Sequence, residues 1–401
     1  MIDRLFGMKN EPREWMFQRF IALPKPLRRA VIRGVCAIGT RQVERLKTPT
    51  RLIYYVTNRC NARCRHCFFA AYLNTDPVAE LTLREIDRVA SSFRHRIQSL
   101  LLTGGEPTLR EDLPEICRIF DRRNRTALFT IPTNGLKPDR IEQVFDEILR
   151  TTRAKLNAQV SIDGLAEVHD RIRGVPGSFE RALETARRLK RLRPRHPNLN
   201  NTSVLTVISA ANADQIEPLI DLVEREGGLF HKFQYLRSSA TDVMGVPEEA
   251  LAHHAPPDQA FVRPDEDTLR RLTGLIARRL RRPHHTLVSR RQVASMMHQW
   301  RSAVEHDGRL ECLAGRIDGV LYADGAVALC EMTRPVANVR DFGGDFAALW
   351  RSEAADARRR QIRRCFCSHP CNISTSMSYD EATLLAIVGV TPLAWWDEAT
   401  A

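Results

Sequence analysis

The chain has 401 residues, 43% of them hydrophobic and 27% charged, the balance of a globular protein long enough to bury a full core. Ten clustered cysteines in so long a chain, with no secretory signal recognised, exclude a disulfide scaffold and point to a reducing cytoplasm. No run of about 18 apolar residues is present, which excludes a spanning helix, and the net charge of +13 is dispersed over arginine-rich helix faces, so nucleic acid is not an expected partner.

Residues 1–50 read as an N-terminal amphipathic segment. Apolar residues such as Phe17, Phe20, Ile21, Leu27, Val31, Ile32 and Val35 alternate with arginines, and Pro24-Lys25-Pro26 breaks the pattern into two helices. These helices are expected to pack on the core that follows, with an anionic membrane surface as the alternative. Residues 51–240 then alternate between strand and helix patterns. Strands are predicted at Arg51–Thr57, Ser99–Thr103, Ala127–Pro132, Lys155–Ile162, Ser203–Ser209 and Phe230–Leu236. Helices are predicted near Thr82–Arg94, Leu113–Arg123, Pro138–Thr151, Ser178–Leu192 and Ala213–Glu226. The fold class is therefore α/β with parallel strands, either an open sheet or a barrel. Residues 241–305 read as a helical linker, 306–375 as a small cysteine-rich domain, and 376–401 as an apolar tail with Leu384–Val390 and Trp395-Trp396. The tail is expected to cover the mouth of the core or meet an apolar partner.

The first strand runs into Cys60-Asn61-Ala62-Arg63-Cys64-Arg65-His66-Cys67, a C-x3-C-x2-C spacing. Three thiolates are one short of closing a [4Fe–4S] cluster, and an open iron is a place for a ligand to bind. A structural zinc knuckle normally pairs two such units, and the next cysteine group lies far along the chain. Polar motifs close the next three strands: Gly104-Gly105-Glu106-Pro107, Thr133-Asn134-Gly135 and Ser161-Ile162-Asp163-Gly164. Each alone fits a turn, but in barrels the carboxyl ends of strands carry the active residues.

The cysteine triplet after a first strand resembles the signature of radical S-adenosylmethionine (radical SAM) enzymes. The resemblance implies a partial (β/α)6 TIM-type barrel, with Cys60, Cys64 and Cys67 holding a [4Fe–4S] cluster whose open iron binds the amino and carboxylate groups of SAM. Reductive cleavage would then give a 5′-deoxyadenosyl radical, the electron coming from reduced flavodoxin or ferredoxin. The resemblance further implies that Gly104 and Gly105 bring backbone to the SAM amino group and that Glu106 offers its carboxylate to the ammonium, with helix capping the alternative. Ser161 is expected at the ribose or carboxylate, with Asn134 and Asp163 in the same pocket. The segment His169-Asp170-Arg171-Ile172-Arg173-Gly174 resembles one in peptide-modifying relatives, where the position of Arg173 grips the SAM carboxylate. His66 stands where many relatives place an aromatic ring against adenine, a solvated loop histidine being the other reading.

Farther on come Cys312, a hairpin pattern over Val320–Cys330 turning at Asp324-Gly325, and Cys365-Phe366-Cys367-Ser368-His369-Pro370-Cys371. This layout resembles the Twitch or SPASM auxiliary domains of radical SAM enzymes. Five cysteines imply one auxiliary [4Fe–4S] cluster, held most simply by Cys312, Cys330, Cys367 and Cys371, with Cys365 a rival or a spare. Cys36 and Cys117 fit helical core positions. The expected function is a radical SAM enzyme acting on a small-molecule or lipid-linked substrate, the auxiliary cluster relaying an electron or anchoring substrate. Peripheral membrane contact would suit a lipid-linked substrate. The alternative is a peptide maturase, and the third reading is a non-catalytic metal-binding protein. Residues 1–50 are expected to be too short for the winged-helix leader-binding domain of many maturases.

Overall fold

The computed structural model describes residues 17–75, 79–237, 243–252, 254, 256–258, 261–281 and 287–393. Trp395 and Trp396 lie outside the described residues. Residues 17–21 are helical, the chain bends at Leu23 and Pro24, and helix α1 (Lys25–Glu44) follows, with the proline ring at its N-terminal edge. Six strand–helix units come next. They are β1 (Arg51–Thr57), α2 (Leu83–Ser92), β2 (Ser99–Gly104), α3 (Leu113–Asn124), β3 (Leu128–Thr133), α4 (Pro138–Thr151) and β4 (Lys155–Ser161). A helix pair, α5 (Ala166–Arg173) and α6 (Ser178–Arg191), then leads to β5 (Leu199–Ile208), α7 (Ile216–Glu226) and β6 (Phe230–Tyr235). Neighbouring strands from β1 to β6 pair in parallel and in chain order, the topology of a partial barrel of six strands.

Helix starts follow local chemistry. Thr82 accepts from the Glu85 backbone N–H while the Glu85 carboxylate returns to Thr82 N at 2.8 Å, a capping box that opens α2. Thr82→Ala is expected to lower stability by about 1 kcal/mol, read as a shifted urea midpoint at unchanged slope.

The outer face of the barrel is apolar and packs on the helices, with Tyr54, Leu100, Phe129, Leu156 and Val204 in one cluster with Phe120, Phe145 and Leu189. The inner face is different. Residues 155, 157, 159 and 161 of β4 are Lys, Asn, Gln and Ser, and those of β6 at 230, 232 and 234 are Phe, Lys and Gln; all seven line a cavity of about 910 Å³. A strand's alternation points successive side chains to opposite faces, so this polar lining leaves an open chamber where other barrels pack layers of branched residues.

The chain continues through β7 (Val243–Met244), α8 (Glu266–Leu280) and α9 (Leu287–Ala303) to β8 (Asp318–Leu321) and β9 (Ala326–Ala328). The expected hairpin is present: Tyr322 N donates to Ala326 O at 2.8 Å, and Gly325 adopts φ +89° in the turn. Its strand β8 pairs in parallel with β1, so the hairpin extends the barrel sheet on the β1 side, and β10 (Ala337–Asn338) completes the order β10-β9-β8-β1-β2-β3-β4-β5-β6. Two short helices, α10 (Phe346–Trp350) and α11 (Glu353–Gln361), lead to β11 (Phe366–Cys367), which pairs with β7, then to α12 (Pro370–Ser376) and α13 (Glu381–Ile387).

The N-terminal segment does not take the expected place on the barrel. Phe17, Ile32, Val35 and Cys36 bury against Met297 of α9 and Leu384, Leu385 and Ile387 of α13. Arg28 donates to Val388 O, and Arg33 pairs with Glu381 at 2.9 Å, so the two flanks of the barrel cover each other. The dispersed arginines are also accounted for in part: Arg187 pairs with Glu226, and Arg188 with Asp139 and Glu184. No helix among the described residues is long and apolar enough to cross a membrane.

Candidate active site

The cysteine loop leaves the carboxyl end of β1 and is fastened from three sides. Asn74, in the left-handed region at φ 52°, holds both backbone groups of Cys60: its Oδ1 accepts at 2.9 Å and its Nδ2 donates at 3.0 Å. Gly105 N donates to Thr57 O and Glu106 N to Arg59 O, each at 2.8 Å. Arg63 N and Arg65 N donate to the last carbonyls of α5, Arg173 O at 3.0 Å and Ile172 O at 2.9 Å. These approaches need glycine: a Cβ on Gly104 would meet Thr57 O at 2.2 Å, and one on Gly174 would meet Arg63 O at 2.6 Å. The glycines of the second strand end therefore press main chain onto the cysteine loop itself.

Cys60, Cys64 and Cys67 all line the cavity. Burial pushes the Cys60 thiol up to about 12 and the Cys67 thiol up to about 11. Backbone N–H groups of Ala62 and Phe69 act the other way and lower these two thiols, and Arg173 Nη1 lies 3.6 Å from Cys64 Sγ. Three converging sulfurs with N–H donors and a cation fit an iron–sulfur cluster, whose thiolates need that compensation.

Arg173 also pairs with Asp163 at 2.5 Å, both side chains buried. Burial opposes charge on Asp163, but Arg173 and His66 hold its carboxyl below the usual range. Burial pulls His66 down to about 4, leaving it neutral at physiological pH beside Asp163 and Phe261. Arg173→Gln is expected to destabilise the protein by about 3–5 kcal/mol because it strands the Asp163 carboxylate, and Asp163→Asn in the same chain is expected to return part of the loss. A thermal melt of the two variants checks this.

Glu106 takes the capping place that the sequence offered as its alternative. Its Oε1 accepts from Thr108 N at 3.2 Å, Thr108 Oγ1 at 2.7 Å and Thr133 Oγ1 at 2.9 Å, and its Oε2 accepts from Asn134 N at 2.7 Å. At 2% exposure it is a cap that ties the ends of β2 and β3 together. Asn134 is likewise engaged, donating from Nδ2 to Asn61 Oδ1 at 2.8 Å. Ser161 faces the cavity.

The five later cysteines divide four and one. The Cys312 and Cys365 thiols lie close enough to shift each other's titration, and Cys330 and Cys367 act on the same group electrostatically. Met332 N at 3.4 Å and Asn372 Nδ2 at 3.1 Å both donate to Cys330 Sγ. Four sulfurs with N–H donors again fit a cluster, and here the set is closed. Cys371 stands elsewhere. The largest charges acting on it are those of Glu331 and Arg237, its ligand atom lies within 4.8 Å of those of Glu331 and His369, and it lines the barrel cavity, as none of the other four does. The four thiols that lie together are Cys312, Cys330, Cys365 and Cys367, whereas the simplest sequence set has Cys371 in place of Cys365. The reason is that β11 pairs with β7 and presents Cys365 and Cys367 together, whereas α12 turns Cys371 toward β1.

Several cavity residues escaped the sequence reading. Tyr55 donates to Glu331 Oε1 at 2.5 Å, His369 Nε2 lies 3.0 Å from Glu331 Oε2, and Arg237 stacks 3.9 Å over Phe68. Burial opposes charge on Glu331, yet His369 and Arg237 hold its carboxyl down to about 2. The signal that could have found the chamber is the polar alternation of β4 and β6, since buried parallel strands ordinarily read as apolar runs.

Residues 54–223 match the model of the Radical SAM superfamily. The chain is 32% identical over 183 residues to a pre-heme d1 synthase of Dinoroseobacter shibae, covering 44% of this chain and 41% of that protein. It is 36% identical over 194 residues to an AdoMet-dependent heme synthase of Methanosarcina barkeri, covering 46% of this chain and 50% of that protein. It thus matches about half or less of these relatives' own lengths. In fold it is similar to Streptococcus suis SuiB bound to S-adenosylmethionine, with TM-score 0.54 at 15% identity over 80% of this chain and 70% of that one. Native anSMEcpe with bound AdoMet gives TM-score 0.53 at 15% identity over 77% and 81%. Residues 54–223, which include the cysteine loop fastened to the carboxyl end of the first barrel strand, are thus similar to the radical SAM superfamily.

Proposed function

We propose that this protein is a radical SAM enzyme that abstracts hydrogen from an anionic small molecule held inside the barrel, with a second, closed cluster beside the chamber. The single observation that carries this is one cavity lined by the three loop cysteines, Ser161 and Arg173 together with the polar faces of β4 and β6. When bound, a cluster on Cys60, Cys64 and Cys67 and its SAM supply a 5′-deoxyadenosyl radical. The chain's own residues do the rest. Arg173 balances the charge of the thiolate loop while Asp163 keeps the guanidinium aimed. Gly104 and Gly105 keep the second strand end close to the loop, and Ser161 offers a free hydroxyl to SAM. Cys312, Cys330, Cys365 and Cys367 hold the auxiliary [4Fe–4S] cluster, which relays an electron from a substrate radical. Reduced flavodoxin or ferredoxin is the proposed electron donor, its acidic surface suiting a chain of net charge +13.

A small molecule is favoured because the chamber is walled by the barrel and carries eight Lys and Arg side chains (Arg51, Arg96, Arg153, Lys155, Arg173, Lys232, Arg237 and Arg291) against Glu106, Asp318 and Glu331. Carboxylate-bearing tetrapyrroles are the first class to try, because two of the relatives are named heme synthases. Reduced, cluster-loaded protein with SAM is expected to form 5′-deoxyadenosine faster when coproporphyrin III is added. Stimulation by a peptide pool and not by the porphyrin would transfer the assignment to peptide maturation, and stimulation by the porphyrin's tetramethyl ester would contradict the anionic reading.

A further inference from the structure

Most charges inside the chamber already have a partner. Arg51 pairs with Asp318 at 3.2 Å, Arg173 with Asp163, Lys155 Nζ with Pro197 O at 2.9 Å, and Arg291 with Ser378 Oγ at 2.9 Å. Arg237 lies over Phe68 and against His369, while Arg96 and Arg153 are exposed at the opposite rim. Lys232 is the exception. It lies midway along β6 with its side chain in the cavity, and among the described residues it makes no ion pair or side-chain hydrogen bond. Burial alone lowers it, to about 8, so it is still protonated at pH 7.

Its surroundings are uncommitted too. Strand register sets Ser161 opposite Leu205 and Leu205 opposite Lys232, so Ser161 and Lys232 share a level two strands apart, about 10 Å between backbones. Gln234, two residues along β6, faces the same way, as does Gln159 on β4. Like Lys232, the side chains of Gln159, Ser161 and Gln234 find no partner among the described residues. One cation flanked by two amides and a hydroxyl, all free and all facing one space, makes a receptor for an anionic group.

We infer that Lys232, with Gln159 and Gln234, is the subsite that anchors a carboxylate or phosphate of the substrate. This rests on the chamber being the substrate site, and it adds the side chain that recognises the anion. SAM also carries a carboxylate, and its proposed place beside Ser161 makes it the rival owner of this lysine.

Pulse acetylation followed by mass spectrometry separates the two without any turnover. The cluster-loaded protein is treated alone, with SAM, and with SAM plus succinate or plus inorganic phosphate. Lys232 is expected to be acetylated at the same rate with and without SAM. It should be protected about tenfold by succinate or phosphate at about ten times the probe's Kd, while exposed Lys47 and Lys137 are unaffected. The probe that protects names the anion. Lys232→Gln is expected to bind SAM as the wild type does and to lose binding of that probe. Full protection by SAM alone, parallel loss of SAM binding in Lys232→Gln, or no protection by either probe would overturn the assignment. A failure to cleave SAM would leave this labelling pattern in place, so the two readings fail separately.

Discussion

Replacing Cys60, Cys64 and Cys67 together by alanine is expected to lower the iron content of anaerobically reconstituted protein from about eight to about four per chain, one cubane of the two. The expectation follows from the separation of the thiol sets. The loop cysteines line the cavity, while Cys312, Cys330, Cys365 and Cys367 do not, and the β7–β11 sheet that carries Cys367 makes no strand pairing with the loop. The loop itself is held by backbone bonds to Thr57, Arg59, Ile172 and Arg173, so it should keep its course without the sulfurs. Acid-labile sulfide should fall in step with iron. Loss of all the iron, or of none, would show that the sets are not independent.

The second large effect concerns which cysteine completes the auxiliary set. Cys312→Ala with Cys365→Ala is expected to bring iron to about four per chain, whereas Cys371→Ala keeps about eight. The mutual influence of the Cys312 and Cys365 thiols places both in the tetrad, and Glu331, His369 and Arg237 surround Cys371 instead. Burial raises the Cys371 thiol, and Glu331 adds to the rise, so it stays protonated in the chamber. Iron lost in Cys371→Ala and retained in the double variant would restore the simpler spacing-based assignment.

Much of the fold could be read from the chain because its strands are ordinary apolar segments between strong helix patterns. Five of the six strand starts fall within one residue of their predicted positions. The exception is β5, which begins at Leu199 because Asn200 and Asn201, residues that normally signal a turn, pair with β4, Asn200 Nδ2 donating to Asn157 Oδ1 at 2.7 Å. Helix α5 was hidden because its eight residues carry only two large apolar side chains that could set a period. The hairpin turn at Asp324-Gly325 was legible, but not that its first strand would join β1, since strand pairing across more than 250 residues leaves no local trace.

The site was legible where spacing carries the chemistry and illegible where burial decides it. C-x3-C-x2-C is set by the loop's own geometry. Glu106 looked like a ligand because a carboxylate after two glycines is conspicuous, yet Thr108, Thr133 and Asn134 claim it. Cys365 and Cys371 are equally placed in sequence, and only the strand before α12 and the helix itself separate their directions. Lys232 sits in a short strand whose polar alternation acquires meaning once the barrel closes around it.

The most direct measurement is 5′-deoxyadenosine formation from SAM under anaerobic reduction by the wild type and by the Cys60/Cys64/Cys67 triple alanine variant, each with its auxiliary cluster confirmed by iron content. The wild type should release 5′-deoxyadenosine and methionine in equal amounts, and the variant none, despite its remaining cluster. Wild-type protein with about eight irons that leaves SAM intact, or equal cleavage by the variant, would contradict the assignment.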